Sequence, residues 1–270
     1  MRKRAAVALT AAAVLGASAC GGSPSADPAD SSSAGRADGL GGTLTVFAAA
    51  SLTDVFGELG DRMTADNPDL DIRFNFAASS ALATQIAQGA PADVFASAGE
   101  PQMQVVTDAG LQDGEPAVFA ENVLQIAVPA DNPGHVTGLA DFADPALTLA
   151  VCAAEVPCGA AAVTVFRAAG ITAVPDTEEE DVRAALTKVE LGEVDAALVY
   201  ASDVVSAGNG VTGIEFPEAE RAVNAYPICT LRGAPEPDAA RAFVDLVLSD
   251  AGQRALRDAG FRAPGADGPP

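Results

Sequence analysis

The sequence has 270 residues, of which 37 are acidic and 15 are Lys or Arg, and its formal net charge at pH 7 is -22. Such a charge argues against nucleic acid or an anionic membrane surface as a partner, because both require clustered Lys and Arg. No such cluster follows Arg4. The composition is otherwise that of a globular protein, with 49% hydrophobic residues.

Residues 1–20 predict a secretory signal peptide. Basic residues at positions 2–4 precede an apolar run, 5–17, that is shorter than the ~20 residues of a membrane span. The run Leu-Gly-Ala-Ser-Ala-Cys20 is similar to the bacterial lipobox, although Ala17 stands where that motif prefers leucine. We therefore expect an exported protein anchored to the cell membrane through a lipid on Cys20, facing the extracytoplasmic side. The alternative is a soluble secreted protein in which Cys20 is incidental.

Both ends of the remaining chain predict disorder. Residues 21–42 are mainly Ser, Ala, Asp, Pro and Gly, which cannot offset the entropy of ordering, so they predict a disordered tether. Residues 263–270 are expected to be a disordered tail. The stretch from Thr43 to about Arg262 is long enough for one large domain or two small ones.

Two similar strand-to-helix turns open the folded part. In Leu44–Asp54 and again in Ile72–Leu82, an apolar run breaks into alanines and then a serine, where a helical pattern starts. A helix N-terminus carries free N–H groups and a partial positive charge, so the two turns predict two halves of one anion site. Ser51-Leu-Thr-Asp54 also has the form of a capping box, and simple N-capping is the alternative role for Ser51.

The rest of the chain alternates predicted strands and helices. The strands are 44–48, 71–76, 93–97, 123–128, 147–151, 195–199, 211–216 and 222–231. Three predicted helices start at residues 51, 82 and 101. Four more cover residues 159–169, 181–191, 237–248 and 250–258. This alternation predicts an α/β fold with mostly parallel sheets, which bind ligands at the carboxyl ends of their strands.

Three cysteines follow Cys20. Cys152 and Cys158 bracket five residues in a chain predicted to be exported, which favours a short disulfide over a pair of buried thiols. Cys229 alternates in an apolar strand and is expected to be a core residue. The spacing of these thiols and of His135 fits no zinc pattern.

Several segments together resemble the periplasmic molybdate-binding proteins of ABC importers, over about Thr43 to Phe261. They are Val46–Asp54, Phe76–Ala83, Gly89–Phe95, Glu180–Leu186 and Leu198–Asp203. The resemblance implies a type II periplasmic binding protein fold, in which two α/β lobes are joined by a hinge of two crossing strands. The first lobe would comprise 43–119 and 227–262, and the second 120–226.

The resemblance also implies an oxyanion site of neutral donors. Ser51 and Ser79 would each give a hydroxyl and a backbone N–H group. The second lobe would add the N–H groups of Cys158 and Val182 and the hydroxyl of Tyr200. Cys158 departs from the alanine more usual there. Molybdenum would be bound only as molybdate through these residues, with no cofactor.

The implied function is capture of molybdate or tungstate and delivery to a membrane permease, by a monomer that is not an enzyme. A fully ionised oxyanion only accepts hydrogen bonds, so a pocket of donors suits it. Sulfate follows the same logic, and a binding protein for sulfate is the alternative. A serine hydrolase would need a base, yet His135 is the only histidine and no Gly-x-Ser-x-Gly motif exists. An iron site of paired tyrosines has only Tyr200 and Tyr226 to draw on.

Overall fold

The computed structural model describes residues 39–265, which are built around two five-stranded sheets. The predicted signal peptide, the lipidation of Cys20 and nearly all of the tether lie outside the described residues. None of the helices within 39–265 is long and apolar enough to span a membrane.

The first sheet carries the two serine turns at one edge. Its strands, in chain order, are β1 (Gly41–Ala49), β2 (Asp69–Ala77), β3 (Val94–Ala96), β4 (Gln112–Asn122) and β10 (Asn224–Leu231). Their spatial order is β2-β1-β3-β10-β4. Because β1, β2 and β3 are parallel and Ala49 pairs with Ala77, the turns that follow β1 and β2 leave the sheet side by side.

Five helices cover the first sheet and complete the first lobe. They are α1 (Thr53–Asp66), α2 (Ser79–Ala87), α3 (Glu100–Asp108), α7 (Pro237–Leu248) and α8 (Asp250–Asp258). The apolar stripe of α1 packs into the core through Val55, Phe56, Leu59 and Met63. Phe56 packs edge-on against Phe243 of α7, with ring centroids 5.3 Å apart.

The second lobe repeats this plan. Its sheet has the order β7-β6-β8-β5-β9 and consists of β5 (Leu124–Pro129), β6 (Leu149–Cys152), β7 (Thr177–Glu179), β8 (Ala196–Tyr200) and β9 (Val211–Ile214). Its helices are α4 (Pro157–Ala169), α5 (Val182–Glu190) and α6 (Ala201–Ala207). Strands β6, β7 and β8 are parallel, so the segments that follow them share one edge of the sheet.

Both sheets are mixed rather than mostly parallel. In each, two strand pairings are parallel and two antiparallel. The antiparallel pairings arise where the chain passes between the sheets. One passage runs from β4 through Val123 into β5, and the other returns through a short 3-10 helix at Pro217–Arg221 into β10. In the first passage a single residue separates the two strands, whereas in the second a 3-10 helix lies between β9 and β10.

Several predicted boundaries were wrong. Strand β4 continues to Asn122 and β10 begins at Asn224, so residues 120–122 and 224–226 belong to the first sheet and not to the second lobe. The predicted tether ends too late, because β1 begins at Gly41, whose register partner is Asp69. The tail starts later than 263, since the N–H of Gly265 donates to Glu121.

Two strands and one α-helix were not predicted: β4, β7 and α6. Strand β4 lies at a sheet edge and contains Gly114 and Pro116, which are typical of turns rather than strands. Strand β7 is only three residues long and acidic. The two C-terminal helices agree with their predicted bounds, 237–248 and 250–258.

Candidate functional site

Neither Ser51 nor Ser79 caps its helix. Ser51 lies in a 3-10 turn, Ala50–Leu52, before α1, and neither the turn nor α1 has a side-chain cap. The predicted capping box was therefore wrong, because the extra turn displaces the serine from the N-cap position. Ser79 is the first residue of α2, whose N-cap, Ala78, also makes no side-chain hydrogen bond. Both hydroxyls are available for other contacts.

Each serine hydroxyl is fixed by a buried group behind it. Ser51 Oγ lies 2.9 Å from Tyr226 Oη, and Ser79 Oγ accepts a 2.9 Å hydrogen bond from the N–H of Ala98. When Tyr226 donates to Ser51, both serines keep a hydroxyl proton for a third group. Sequence reasoning did not identify Tyr226 as part of the site, since a tyrosine in an apolar strand gives no such signal.

The second lobe presents two helix starts. Cys158 is the second residue of α4, and Val182 is the first residue of α5. The Asp181 carboxylate caps α5 by accepting from the N–H groups of Arg183, at 2.9 Å, and Ala184, at 3.0 Å. This cap leaves the first N–H of the helix, that of Val182, for another acceptor. An acidic residue directly before a helical pattern is a recognisable N-cap signal in the sequence.

A disulfide joins the end of β6 to the start of α4. Cys152 and Cys158 are bonded with an S–S distance of 2.07 Å, the pairing that the sequence predicts. Gly159 follows in close contact with this loop, since a Cβ there would lie 1.8 Å from the carbonyl oxygen of Ala153. Cys229 is a free, buried thiol, and burial raises its pKa to about 12.

Tyr200 brings a buried hydroxyl to the same place. Its Oη has no hydrogen-bond partner among the described residues, although its side chain is buried. Burial and the neighbouring Tyr226 raise the pKa of Tyr200 well above its usual value. Burial also raises the pKa of Tyr226, against the lowering effect of its hydrogen bond to Ser51. Both phenols are therefore protonated donors at neutral pH.

These residues meet at one cavity of about 20 Å³ between the lobes. The structure thus brings together all five predicted site residues. The lining consists of Ala49, Ala50, Ser51, Ala77, Ala78, Ser79, Ala98, Val156, Pro157, Cys158, Asp181, Val182 and Tyr200. This volume is little more than the roughly 10–15 Å³ that one water needs, so the cavity fits only a small solute.

The cavity is rich in donors and lacks positive side chains. Within residues 39–265, its lining includes no Lys, Arg or His, and Asp181 is its one acidic residue. Positive potential comes instead from the starts of α2, α4 and α5. In this part of the chain no three His, Cys, Asp or Glu side chains are grouped to hold a metal ion.

Comparison with known proteins agrees with this geometry. A family model for bacterial extracellular solute-binding proteins matches residues 44–262. The molybdate-binding protein ModA of Mycobacterium bovis is 43% identical over 257 residues, which cover 95% of this chain and 96% of the relative. The resemblance identified in the sequence is confirmed by this relative.

Solved structures confirm the two-lobed α/β fold. The periplasmic molybdate-binding protein of Azotobacter vinelandii matches with a TM-score of 0.71 and 19% identity, covering 82% of this chain and 99% of that one. The sulfate-binding protein SubI from Mycobacterium tuberculosis H37Rv matches with a TM-score of 0.70 and 17% identity, covering 83% and 88%. At such identities the likeness concerns the fold alone, and it does not distinguish the two anions.

Proposed function

The chain belongs to the bacterial extracellular solute-binding protein family, and from this premise we propose that it captures molybdate or tungstate between its lobes and delivers it to the permease of an ABC importer. As a member of this family it is a binding protein and not an enzyme. The 43% identity to a protein named for molybdate binding supports the choice of ligand.

The observation that carries the proposal is the convergence of neutral donors from both lobes on one cavity. We assign the hydroxyl and N–H groups of Ser51 and Ser79, the N–H groups of Cys158 and Val182, and the hydroxyl of Tyr200 to the anion. Molybdate at neutral pH is a tetrahedral dianion that only accepts hydrogen bonds, so each of these donors finds an acceptor. The hydroxyl of Tyr200, which has no hydrogen-bond partner within residues 39–265, would be satisfied in the same way.

The net charge of -22 repels an incoming anion at long range, and the local dipoles have to overcome it. Salt screens this repulsion beyond a Debye length of about 10 Å at 0.1 M. The helix starts act at contact distance inside a cavity lined mostly by buried residues, where screening is weak. The donors and helix dipoles that line the cavity therefore determine binding more than the surface charge does.

Sulfate is the competing ligand, because it is also a fully ionised tetrahedral acceptor and a sulfate-binding protein shares the fold. Hydrogen-bond donors alone cannot distinguish molybdate from sulfate, so the size of the cavity must provide the selectivity. Hydrogen phosphate is different, since it brings a proton that needs an acceptor. The Asp181 carboxylate is the one acidic group of the described lining, and its Oδ1 already accepts two N–H groups.

Thermal unfolding of the purified mature protein tests the assignment. Molybdate and tungstate should raise the melting temperature through RT ln(1 + [L]/Kd), at concentrations where sulfate and hydrogen phosphate do not. Equal shifts with sulfate would move the assignment to the competing ligand. The absence of a shift with all four anions would refute an oxyanion site.

We further propose that the protein is exported, acts as a monomer and is held at the membrane by a lipid on Cys20. The lipobox-like sequence before Cys20 supports the anchor. Metabolic labelling with an alkyne fatty acid should mark the wild-type chain and leave a Cys20→Ser variant unmarked. Equal labelling of both, or release of the wild type in soluble form, would refute the anchor.

A further inference from the structure

Arg183 connects the two lobes outside the cavity. It is the second residue of α5, and its Nη2 donates to Asp54 Oδ2 on α1 of the first lobe. Its Nη1 donates to Ser206 Oγ at 2.8 Å, and Ser206 Oγ lies 2.5 Å from the same Asp54 oxygen. Asp54, Arg183 and Ser206 thus form a closed ring of hydrogen bonds, the rim bridge, across the gap between the lobes.

The rim bridge lies directly beside the candidate ligand donors. Arg183 follows Val182 in the chain, and Asp54 lies three residues after Ser51. The bridge therefore ties the helix start of the second lobe to a serine turn of the first. Since its partners belong to different lobes, it requires the lobes to be closed.

Arg183 also contacts residues of its own lobe, through the hydrogen bond to Ser206 and the charge of Asp203. Its Nε lies 3.9 Å from Oδ1 of Asp203, a fully buried carboxylate of α6, and its side chain is 24% exposed. Asp54, in contrast, has a side chain that is 61% exposed. An exposed ion pair contributes little to stability because ordering both side chains costs conformational entropy. In this bridge the entropy cost comes mainly from ordering Asp54.

The titration of Asp54 agrees with a favourable contact. Partial burial raises its pKa, but the hydrogen bond from Ser206 and the charge of Arg183 outweigh this effect and leave the pKa below its usual value. The folded, closed protein therefore favours the ionised carboxylate, which is the form that pairs with Arg183.

We propose that Arg183 is a positioning residue of the binding site, whose bridge to Asp54 holds the lobes closed and slows release of the bound anion. This role rests on the proposed function, because it concerns the same cavity. The bridge affects the rate of ligand release and does not contact the anion, since neither Asp54 nor Arg183 lines the cavity.

Charge repulsion alone predicts the opposite effect of neutralising Asp54 on anion binding. Asp54 is a negative charge near an anion site, so its neutralisation should strengthen anion binding if charge repulsion were its only effect. Glu58 provides a matched control, because it lies one turn further along α1, is 57% exposed and pairs with Arg62 of its own helix. Glu58→Gln removes the same charge without touching the other lobe.

Release kinetics distinguish the two effects. The mature protein is loaded with molybdate and chased with excess tungstate, and retained molybdenum is measured by rapid gel filtration and elemental analysis. Asp54→Asn should release molybdate about 3- to 10-fold faster than wild type, while Glu58→Gln should be unchanged or slower. High salt should accelerate release from the wild type more than from Asp54→Asn, since ion pairs are screened.

Unfolding of the ligand-free proteins completes the test. The ligand-free Asp54→Asn protein should melt only slightly below wild type, because an exposed ion pair contributes little to stability. Release from Asp54→Asn that is no faster than from Glu58→Gln would overturn the bridge and leave the proposed function intact. A wild-type protein that retains no molybdate would instead overturn the proposed function, and the bridge with it.

Discussion

The two lobes contribute to the cavity by different means. The first lobe offers serine hydroxyls, each fixed by a neutral hydrogen-bonding group, Tyr226 behind Ser51 and the Ala98 N–H behind Ser79. The second lobe offers two backbone N–H groups, whose helices are held by a disulfide and by the Asp181 cap, and one side-chain donor, the Tyr200 hydroxyl. Side-chain donors can be removed by substitution, whereas backbone donors persist through it. The lobes should therefore respond very differently to mutation.

A buried acid behind the second lobe's donors should give the largest effect. Burial raises the pKa of Asp203 from 3.8 to about 7, although the nearby Arg183 charge lowers it. The folded state therefore keeps a proton that the unfolded state has lost, so the free energy of unfolding falls as the pH rises from about 4 to about 7. Asp203→Asn should remove this fall, which amounts to up to about 4 kcal/mol.

Chemical denaturation of the two proteins at pH 4.5 and pH 8 measures this contribution. The Asn amide oxygen can still accept the 3.0 Å hydrogen bond from the N–H of Tyr200, so the local structure is retained. The stability difference between variant and wild type should grow in favour of the variant at pH 8. The same pH dependence in both would show that Asp203 does not titrate in this window.

The next largest effect is expected from the serines. Ser51→Ala or Ser79→Ala should weaken molybdate binding by about 1.5 to 3 kcal/mol, roughly 10- to 150-fold, because each removes a hydrogen bond to a charged group. Ser80→Ala is the matched control, since Ser80 is the neighbouring residue on α2 and does not line the cavity. Calorimetry that finds unchanged affinity in both serine variants would remove the hydroxyls from the site.

Tyr200 should show effects of opposite sign on stability and on binding. Tyr200→Phe removes a buried hydroxyl that lacks a partner in the described part of the chain, so the ligand-free variant should be more stable by about 1 kcal/mol. The same variant should bind molybdate more weakly, because the anion loses a donor. Denaturation and titration are measured on one preparation. A ligand-free variant that is less stable would indicate another partner for the hydroxyl.

The smallest effect on affinity is expected at the disulfide. Replacing Cys152 and Cys158 together by Ala should lower stability by roughly 2 kcal/mol through the loss of the cross-link, while the Cys158 N–H remains. Affinity should therefore stay within about threefold. Alkylation of the unreduced wild type followed by mass spectrometry should label Cys229 and spare the other two. Labelling at Cys152 and Cys158 would refute the bond.

The sequence located the side chains that line the cavity better than the groups that hold them in place. Ser51 and Ser79 follow strands in two similar turns, and this repetition could be read directly. Val182 has the side chain of a core residue and is buried as one, so only the family resemblance pointed to its N–H group. Tyr226 and Arg183 act across the fold, and such contacts have no local sequence pattern. Strand β4 was missed because its Gly and Pro residues outweigh its pairing signal.

The most direct measurement is an anomalous difference map from a crystal of the mature protein grown with tungstate. We expect one tungsten peak in the cavity between the lobes, with oxygens within hydrogen-bond distance of the Ser51 and Ser79 hydroxyls, the N–H groups of Cys158 and Val182, and the hydroxyl of Tyr200. A peak outside this cavity, or one whose oxygens contact donors from one lobe only, would contradict the account.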